Sequence, residues 1–288
     1  MTNPPTLALT PFVTGLAFPE SPRWHDGALW FSDFYQQRVF RACAAGELQV
    51  MAELDDQPSG LGWLPDGRLL VVGMKKRQLL RQEAGGLVVH ADLSSHVPAD
   101  CNDMLVDADG RAYVGNMGFD LAARAPFAPT VLMLVTPDGC AREVASDMHF
   151  PNGTVLTPDG RTLIVAESYG QRLTAFDVAA DGTLSGRRVW AQLEGKGVAP
   201  DGICLDVEGA IWIASPVSRE VLRVREGGEV THRIPTGEQA VACALGGEDG
   251  RTLYVLVGRV MVTPEQSLSA RTGAILMARV ESPGVSSP

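Results

Sequence analysis

Three short segments of the chain repeat one arrangement: Phe18-Pro-Glu20-Ser-Pro, Phe150-Pro-Asn152-Gly and Ala199-Pro-Asp201-Gly. In each, a proline precedes an oxygen-bearing side chain, and glycine or serine follows it. Proline fixes φ and removes an N–H, so the next residue projects from a stiff support. Brought to one point, Glu20, Asn152 and Asp201 would offer two carboxylates and an amide oxygen. That donor set suits one hard divalent cation such as Ca²⁺, Mg²⁺ or Mn²⁺, or Zn²⁺ or Fe²⁺ with water filling open positions. Taken singly, Asn and Asp beside Gly are ordinary turn residues. Glu20 has no such turn role. The chemistry therefore depends on the elements that carry the three.

Those elements are repeats. Six times the chain gives a short apolar strand, an x-Gly turn and a second strand rich in Val, Ile, Leu, Tyr and Trp, as in Gly153-Thr-Val-Leu-Thr-Pro-Asp-Gly-Arg-Thr-Leu-Ile-Val-Ala-Glu167. The turn glycines fall at 27, 67, 110, 160, 209 and 250, in steps of 40, 43, 50, 49 and 41 residues. Each copy is a hairpin signal. Weaker third strands follow, as at Arg172–Val178 and Glu220–Arg225, and turns such as Pro137-Asp138-Gly139 lead to a fourth. Four strands per ~40–50 residues is the pattern of a β-propeller blade. The expected fold is all-β, one six-bladed propeller domain of four-stranded antiparallel blades spanning residues 1–288. An N-terminal strand near Leu7–Val13 and a C-terminal strand near Ala274–Val280 should share the last blade and close the ring. No long segment holds a helical period, so no helix is expected. A two-sheet sandwich is the alternative, which six evenly spaced units disfavour.

In a propeller the first strand of each blade lines the central channel. Counting seven residues back from the acid of each turn gives Ser59, Asn102, Asn152, Asp201 and Ala242; the shorter first unit gives Glu20. This register places Glu20, Asn152 and Asp201 in one column around one mouth of the channel.

Composition narrows the partners. A net charge of −10 over 288 residues argues against nucleic acid, which needs a basic footprint. No apolar run approaches the ~20 residues that span a bilayer, and the opening Met1-Thr-Asn-Pro-Pro lacks the marks of a secretory leader. Five cysteines, at 43, 101, 140, 204 and 243, show no C-x-x-C and read as reduced thiols of a cytoplasmic protein. The five histidines show no metal-protease spacing. No G-x-S-x-G is present; Ser59 lies in a Pro-Ser-Gly turn rather than a nucleophile elbow. No obligate protein partner is indicated.

At these same residues the sequence resembles the gluconolactonase/regucalcin family, also known for senescence-marker proteins and luciferin-regenerating enzymes. The resemblance covers essentially the whole chain. It rests on Glu20-Ser-Pro-Arg-Trp24, Asn102-Asp103, Pro151-Asn152-Gly153 and Pro200-Asp201-Gly202. It implies a six-bladed propeller with one divalent metal in the channel mouth and hydrolysis of lactones, with sugar lactones among the family's substrates. Glu20, Asn152 and Asp201 are then similar to the metal ligands, and Asp201 also to the general base. Asn102 and Asp103 become substrate-binding residues, with Asn102 a fourth ligand as the alternative. The chemistry agrees with the residues: a lactone is a cyclic ester, and its opening needs a polarised carbonyl and an activated water. One departure stands out. Sugar lactonases of the family often carry Arg two positions before the Asn, where this chain has Asp100. That points to a different lactone or a less polar ester. A ligand-binding or regulatory propeller with a structural metal is the competing reading, and a strictosidine-synthase-like or arylesterase-like propeller is a third.

Further candidates lie near the same mouth. The segment Gly115–Pro129 reads as a lid or specificity loop, with Asn116 and Asp120 as substrate contacts. His149, beside the Pro-Asn-Gly element, reads as a pocket residue able to shuttle protons. Glu167 sits at a strand end, where a charge is ordinarily solvated. Trp24, Trp30, Trp63 and Trp212 fall in hairpin strands and are expected in the core between blades.

Overall fold

The alternation of side chains along the second strand of each hairpin decides the architecture. In the first hairpin this strand is Ala28–Asp33, buried at every position. Ala28 and Trp30 join one apolar cluster with Leu61, Leu69 and Val71 of the second hairpin. Leu29 and Phe31 point the other way, into a cluster with Tyr254 and Leu256 of the sixth. Leu69–Gly73, Ala112–Asn116, Thr162–Glu167, Ile211–Ser215 and Thr252–Gly258 repeat the scheme. A strand buried on both faces reads as a continuous apolar run, which is how these strands read in the sequence. Their period of two hands every hairpin to both neighbours, and the only closed arrangement is a ring.

The computed structural model describes residues 7–259 and 263–285; the Met1–Pro5 opening lies outside them. The described strands form six four-stranded sheets, each antiparallel. Six apolar clusters sit between them, one at each blade interface. Trp30 and Trp212 lie in these interfaces as expected. Trp24 and Trp63 are partly buried, stacked on Tyr254 and His25. The inner strands are Pro19–His25, Pro58–Trp63, Cys101–Val106, Pro151–Leu156, Ile203–Leu205 and Gln239–Gly246. The ring closes as anticipated: Thr10–Leu16 pairs antiparallel with Gly273–Arg279 and forms the outer strand of the sixth blade.

One expectation is corrected. A helix, Pro264–Ala270, precedes the closing strand. Thr263 caps it, its Oγ1 accepting from Gln266 N at 3.3 Å, with Pro264 in the first turn. Seven residues make too little of a helical period to register in the sequence, so only the cap and the proline could have marked it. No helix among the described residues is long and apolar enough to cross a membrane.

Around the channel, inner strands of neighbouring blades approach until their backbones touch. Gly153 N donates to Asp201 O at 3.2 Å, and Gly202 N to Val241 O at 2.9 Å. A Cβ on Gly153 would fall 2.5 Å from Ile203 N, and one on Gly202 2.5 Å from the Ala242 Cβ. Only glycine fits such an approach. Gly202→Ala should therefore lower stability by about 3 kcal/mol, the upper part of overpacking costs, read as a shift in the urea midpoint. Gly85→Ala, whose Cβ would meet open space, should stay within about 0.5 kcal/mol. Equal midpoints for the two variants would show that the inner strands have room to spare.

Candidate metal centre at the channel mouth

A repeated irregularity aims the column inward. The pairing of inner and second strands loses register between Glu20 and Arg23, Pro58 and Leu61, Cys101 and Met104, and Pro151 and Thr154. Ser59, Asn102 and Asn152 each fall inside one of these shifts, and Glu20 is the last paired residue before the first of them, opposite Ser32. A bulge frees a residue from the ladder and re-aims its side chain. In blade five the same place lies just before the strand: Asp201 N donates to Ala214 O at 2.9 Å, and Ala214 N to Gly202 O at 3.0 Å. Blade six offers only the methyl of Ala242, which packs against Gly202.

The backbone supports these residues under strain. Phe150, just before Pro151-Asn152, has φ 61°, and Ser21, just after Glu20, has φ 49°. Such values are unusual for residues with a Cβ and cluster at functional loops. Glu167 explains how the 149–151 loop is held. It is fully buried, contrary to the solvated strand end expected, and its carboxylate accepts from His149 N at 2.7 Å and from Arg172 at 2.9 Å. Asp33 does the same in blade one, accepting from Ala17 N at 2.8 Å and Phe18 N at 3.2 Å. In blade five, Ser215 Oγ accepts from Ala199 N at 3.1 Å.

Glu20 and Asn152 are buried, and Asp201 keeps some solvent contact. Asn152 donates to Ser168 Oγ at 3.2 Å and hydrogen-bonds the Asp201 carboxyl. Its N–H groups therefore serve protein acceptors, and the amide oxygen is the end it presents elsewhere. Removal from water pushes the Asp201 carboxyl up to about 8, with Asp103 adding to the rise and Asn152 opposing it. Removal from water also raises Glu20 well above the usual carboxylate range, and the neighbouring Asp201 raises it further. Arg23 offsets this only weakly. Two desolvated acids beside each other hold protons firmly, and a divalent cation could take the place of those protons. No three His, Cys, Asp or Glu side chains form a metal-holding group among the described residues; the donor set here is two carboxylates and an amide.

The remaining expected residues divide. Asn102 is buried at the mouth and accepts from Ser59 Oγ at 3.4 Å, and Ser59 in turn contacts Ser21 Oγ at 3.3 Å. This polar chain joins blades one, two and three. Asp103 is buried close enough to raise both Glu20 and Asp201, but its own charge is paired with Arg23 at 2.7 Å. Asn116 is fully buried and occupied: it accepts from Gly118 N and Thr130 Oγ1 and donates to Val131 O, tying the two ends of the 117–130 segment. Asp120 is exposed and caps a turn, accepting from Ala123 N at 2.9 Å. His149 is half-buried against the Phe127 ring. Sequence reasoning passed over Arg23 and Ser168. Arg23 carried a signal, being a charge inside a strand that must line the channel. Ser168 carried none.

The comparisons with known proteins agree with this fold. Regucalcin of Danio rerio is 31% identical over 250 residues, spanning 82% of this chain and 81% of its own. Regucalcin of Bos taurus is 27% identical over 248 residues, 83% of each chain. Among solved structures, a calcium-binding regucalcin from Agrobacterium tumefaciens superposes with a TM-score of 0.82 at 23% identity, covering 100% of this chain and 99% of that one. A gluconolactonase from Xanthomonas campestris gives 0.75 at 23% identity, covering 98% and 95%. The description SMP-30/Gluconolactonase/LRE-like region matches residues 18–259. That span takes in Glu20, Asn102, Asn152 and Asp201 together with the sheets that aim them, and the chain belongs to the SMP-30/gluconolactonase/LRE-like family.

Proposed function

We propose that the chain is a divalent-cation-dependent lactonase. The observation that carries this is the buried Glu20 beside the partly buried Asp201, with Asn152 hydrogen-bonded to Asp201 at the channel mouth. Glu20, Asn152 and Asp201 would hold the cation through oxygen, as a hard ion requires. A cation held there polarises a carbonyl oxygen and makes a water easier to deprotonate. Among the relatives, one is described as calcium-binding and one as a gluconolactonase, which supports both halves of the reading.

The protein's own residues divide the work as follows. Asp201 stands at the mouth with solvent contact, so it can accept the proton of the attacking water. Glu20, more deeply buried, contributes charge. Asn152 fixes the orientation of the Asp201 carboxyl. Asn102 and Ser59 present polar groups along the adjoining wall, where they can orient the lactone. Arg23 neutralises Asp103, which keeps the site from carrying a third uncompensated acid. The partner in this reading is a small neutral lactone. Five unpaired cysteines support a reducing compartment such as the cytoplasm.

Asp201→Asn keeps the shape and the amide hydrogen-bonding capacity but removes the base. It should leave the circular dichroism unchanged and lower lactone hydrolysis by about 10²–10⁴-fold, measured by acid release at constant pH. Retained turnover with a folded variant would remove Asp201 from the mechanism. The raised acids also set a pH dependence. An unfolded Asp titrates near about 3.9, while the folded Asp201 titrates at about 8. Between these values the folded, cation-free protein holds a proton that the unfolded chain has lost, so stability must fall as pH rises through that window. Urea midpoints of chelator-treated protein should decline from about pH 5 to about pH 8. The decline should flatten in Asp201→Asn and be offset when Ca²⁺ is restored. A flat profile in the chelator-treated protein with Asp201 intact would mean the acids are not desolvated together.

A further inference from the structure

The turns that follow the second strands surround the channel mouth on the side of Glu20, Asn152 and Asp201. Phe34 N bonds to Phe18 O, Met74 N to Gln57 O and Ser168 N to Phe150 O, so these turns lie against the loops that carry the column. Two residues past the strand ends Asp33, Gly73, Glu167 and Ser215 stand Tyr35, Lys75, Tyr169 and Val217. Tyr169 is 49% exposed and Val217 67%. Lys75, the cation of this set, is paired with Asp100. Asp100 therefore occupies the one lysine of this set.

Blade three departs from its neighbours by inserting the 117–130 segment. Asn116 anchors both ends of it, and its far side lays Phe127 flat on Tyr169, centroids 5.4 Å apart at 8°. Buried Phe119 meets both rings edge-on, at 5.8 and 5.1 Å. Phe150, two residues before Asn152, lies 5.8 Å from Tyr169. Tyr169 follows Ser168, whose Oγ accepts from Asn152. An aromatic wall therefore begins one residue from the candidate ligand set, and Phe127, like Tyr169, is partly open to solvent. Such a wall offers apolar surface and π faces to a bound ring, while a polyhydroxylated sugar lactone needs many donors and acceptors, of which this wall supplies only the Tyr169 hydroxyl.

We infer that the lactone taken by this site carries a flat apolar substituent that packs on Phe127 and Tyr169. The inference rests on the lactonase reading for the word lactone, and on the aromatic wall for the rest. Lactams copy the shape of lactones and resist opening, so they separate binding from turnover. The test is isothermal titration of the full chain, loaded with Ca²⁺, with 2-pyrrolidinone and with 5-phenyl-2-pyrrolidinone. The phenyl lactam should bind at least about tenfold more tightly. Tyr169→Ala and Phe127→Ala, both at partly exposed positions where folding is not at stake, should each cut that ratio to about threefold or less. Equal affinities, no binding of either lactam, or a ratio untouched by both variants would overturn the aromatic subsite, whatever the chain does to lactones. A clear preference for the phenyl lactam without hydrolysis of any lactone would instead remove the lactonase reading and leave the subsite standing.

Discussion

Neighbouring blades touch backbone to backbone at the mouth of the channel, and the rest of the molecule is arranged around that contact. Gly153 bonds to Asp201 and Gly202 to Val241 with no side chain between them. Asn152 and Asp201 come immediately before those two glycines. The contact that draws the ring tight therefore also sets the amide against the carboxyl. A site assembled from free loops would have to order its groups on binding, at a cost in conformational entropy. Here the sheets have already done the ordering, and the bulges only redirect the side chains.

The same closeness has an electrostatic consequence. Glu20 and Asp201 are taken from water and placed beside each other, and both are driven toward their protonated forms. A stable core would avoid this, and a packed propeller could have used Ala242-like residues all round the column. Six apolar interfaces hold the ring regardless of what stands in its mouth. The positive φ of Ser21 and of Phe150 sits beside Glu20 and Asn152. Two desolvated acids held side by side by a ring that does not need them are the pattern of a site kept ready for a charge supplied from outside.

Most of the fold was legible because its signal is periodic. Strands buried on both faces are apolar throughout, hairpin turns demand glycine, and six copies reinforce one another. The column could be found because its residues share a register, and Glu20 could be singled out because no turn needs it. Glu167 was misjudged for a physical reason. A carboxylate at a strand end is solvated unless tertiary neighbours supply donors, and its neighbours Arg172, Thr174 and His149 N become apparent only once the blade is folded. Asn116 likewise looked like a ligand contact until its partners at Gly118, Thr130 and Val131 were in place. The short helix at Pro264–Ala270 escaped because periodicity needs length and capping does not.

Column and rim come from different parts of the repeat, and this separates two tasks. The column lies on or just before the inner strands, whose backbones touch the next blade, so its residues are fixed in place by the ring. The rim lies on turns after the second strands, where Tyr35, Lys75, Tyr169 and Val217 can vary without altering any interface cluster except at Tyr35. Insertions are tolerated in such turns, and blade three has one. An enzyme built this way can keep its means of activating an ester while the turns change which ester arrives. In this chain the Asp100–Lys75 pair and the Phe127–Tyr169 stack act in the same direction: one withdraws a cation from the rim, and the other adds apolar surface beside Asn152.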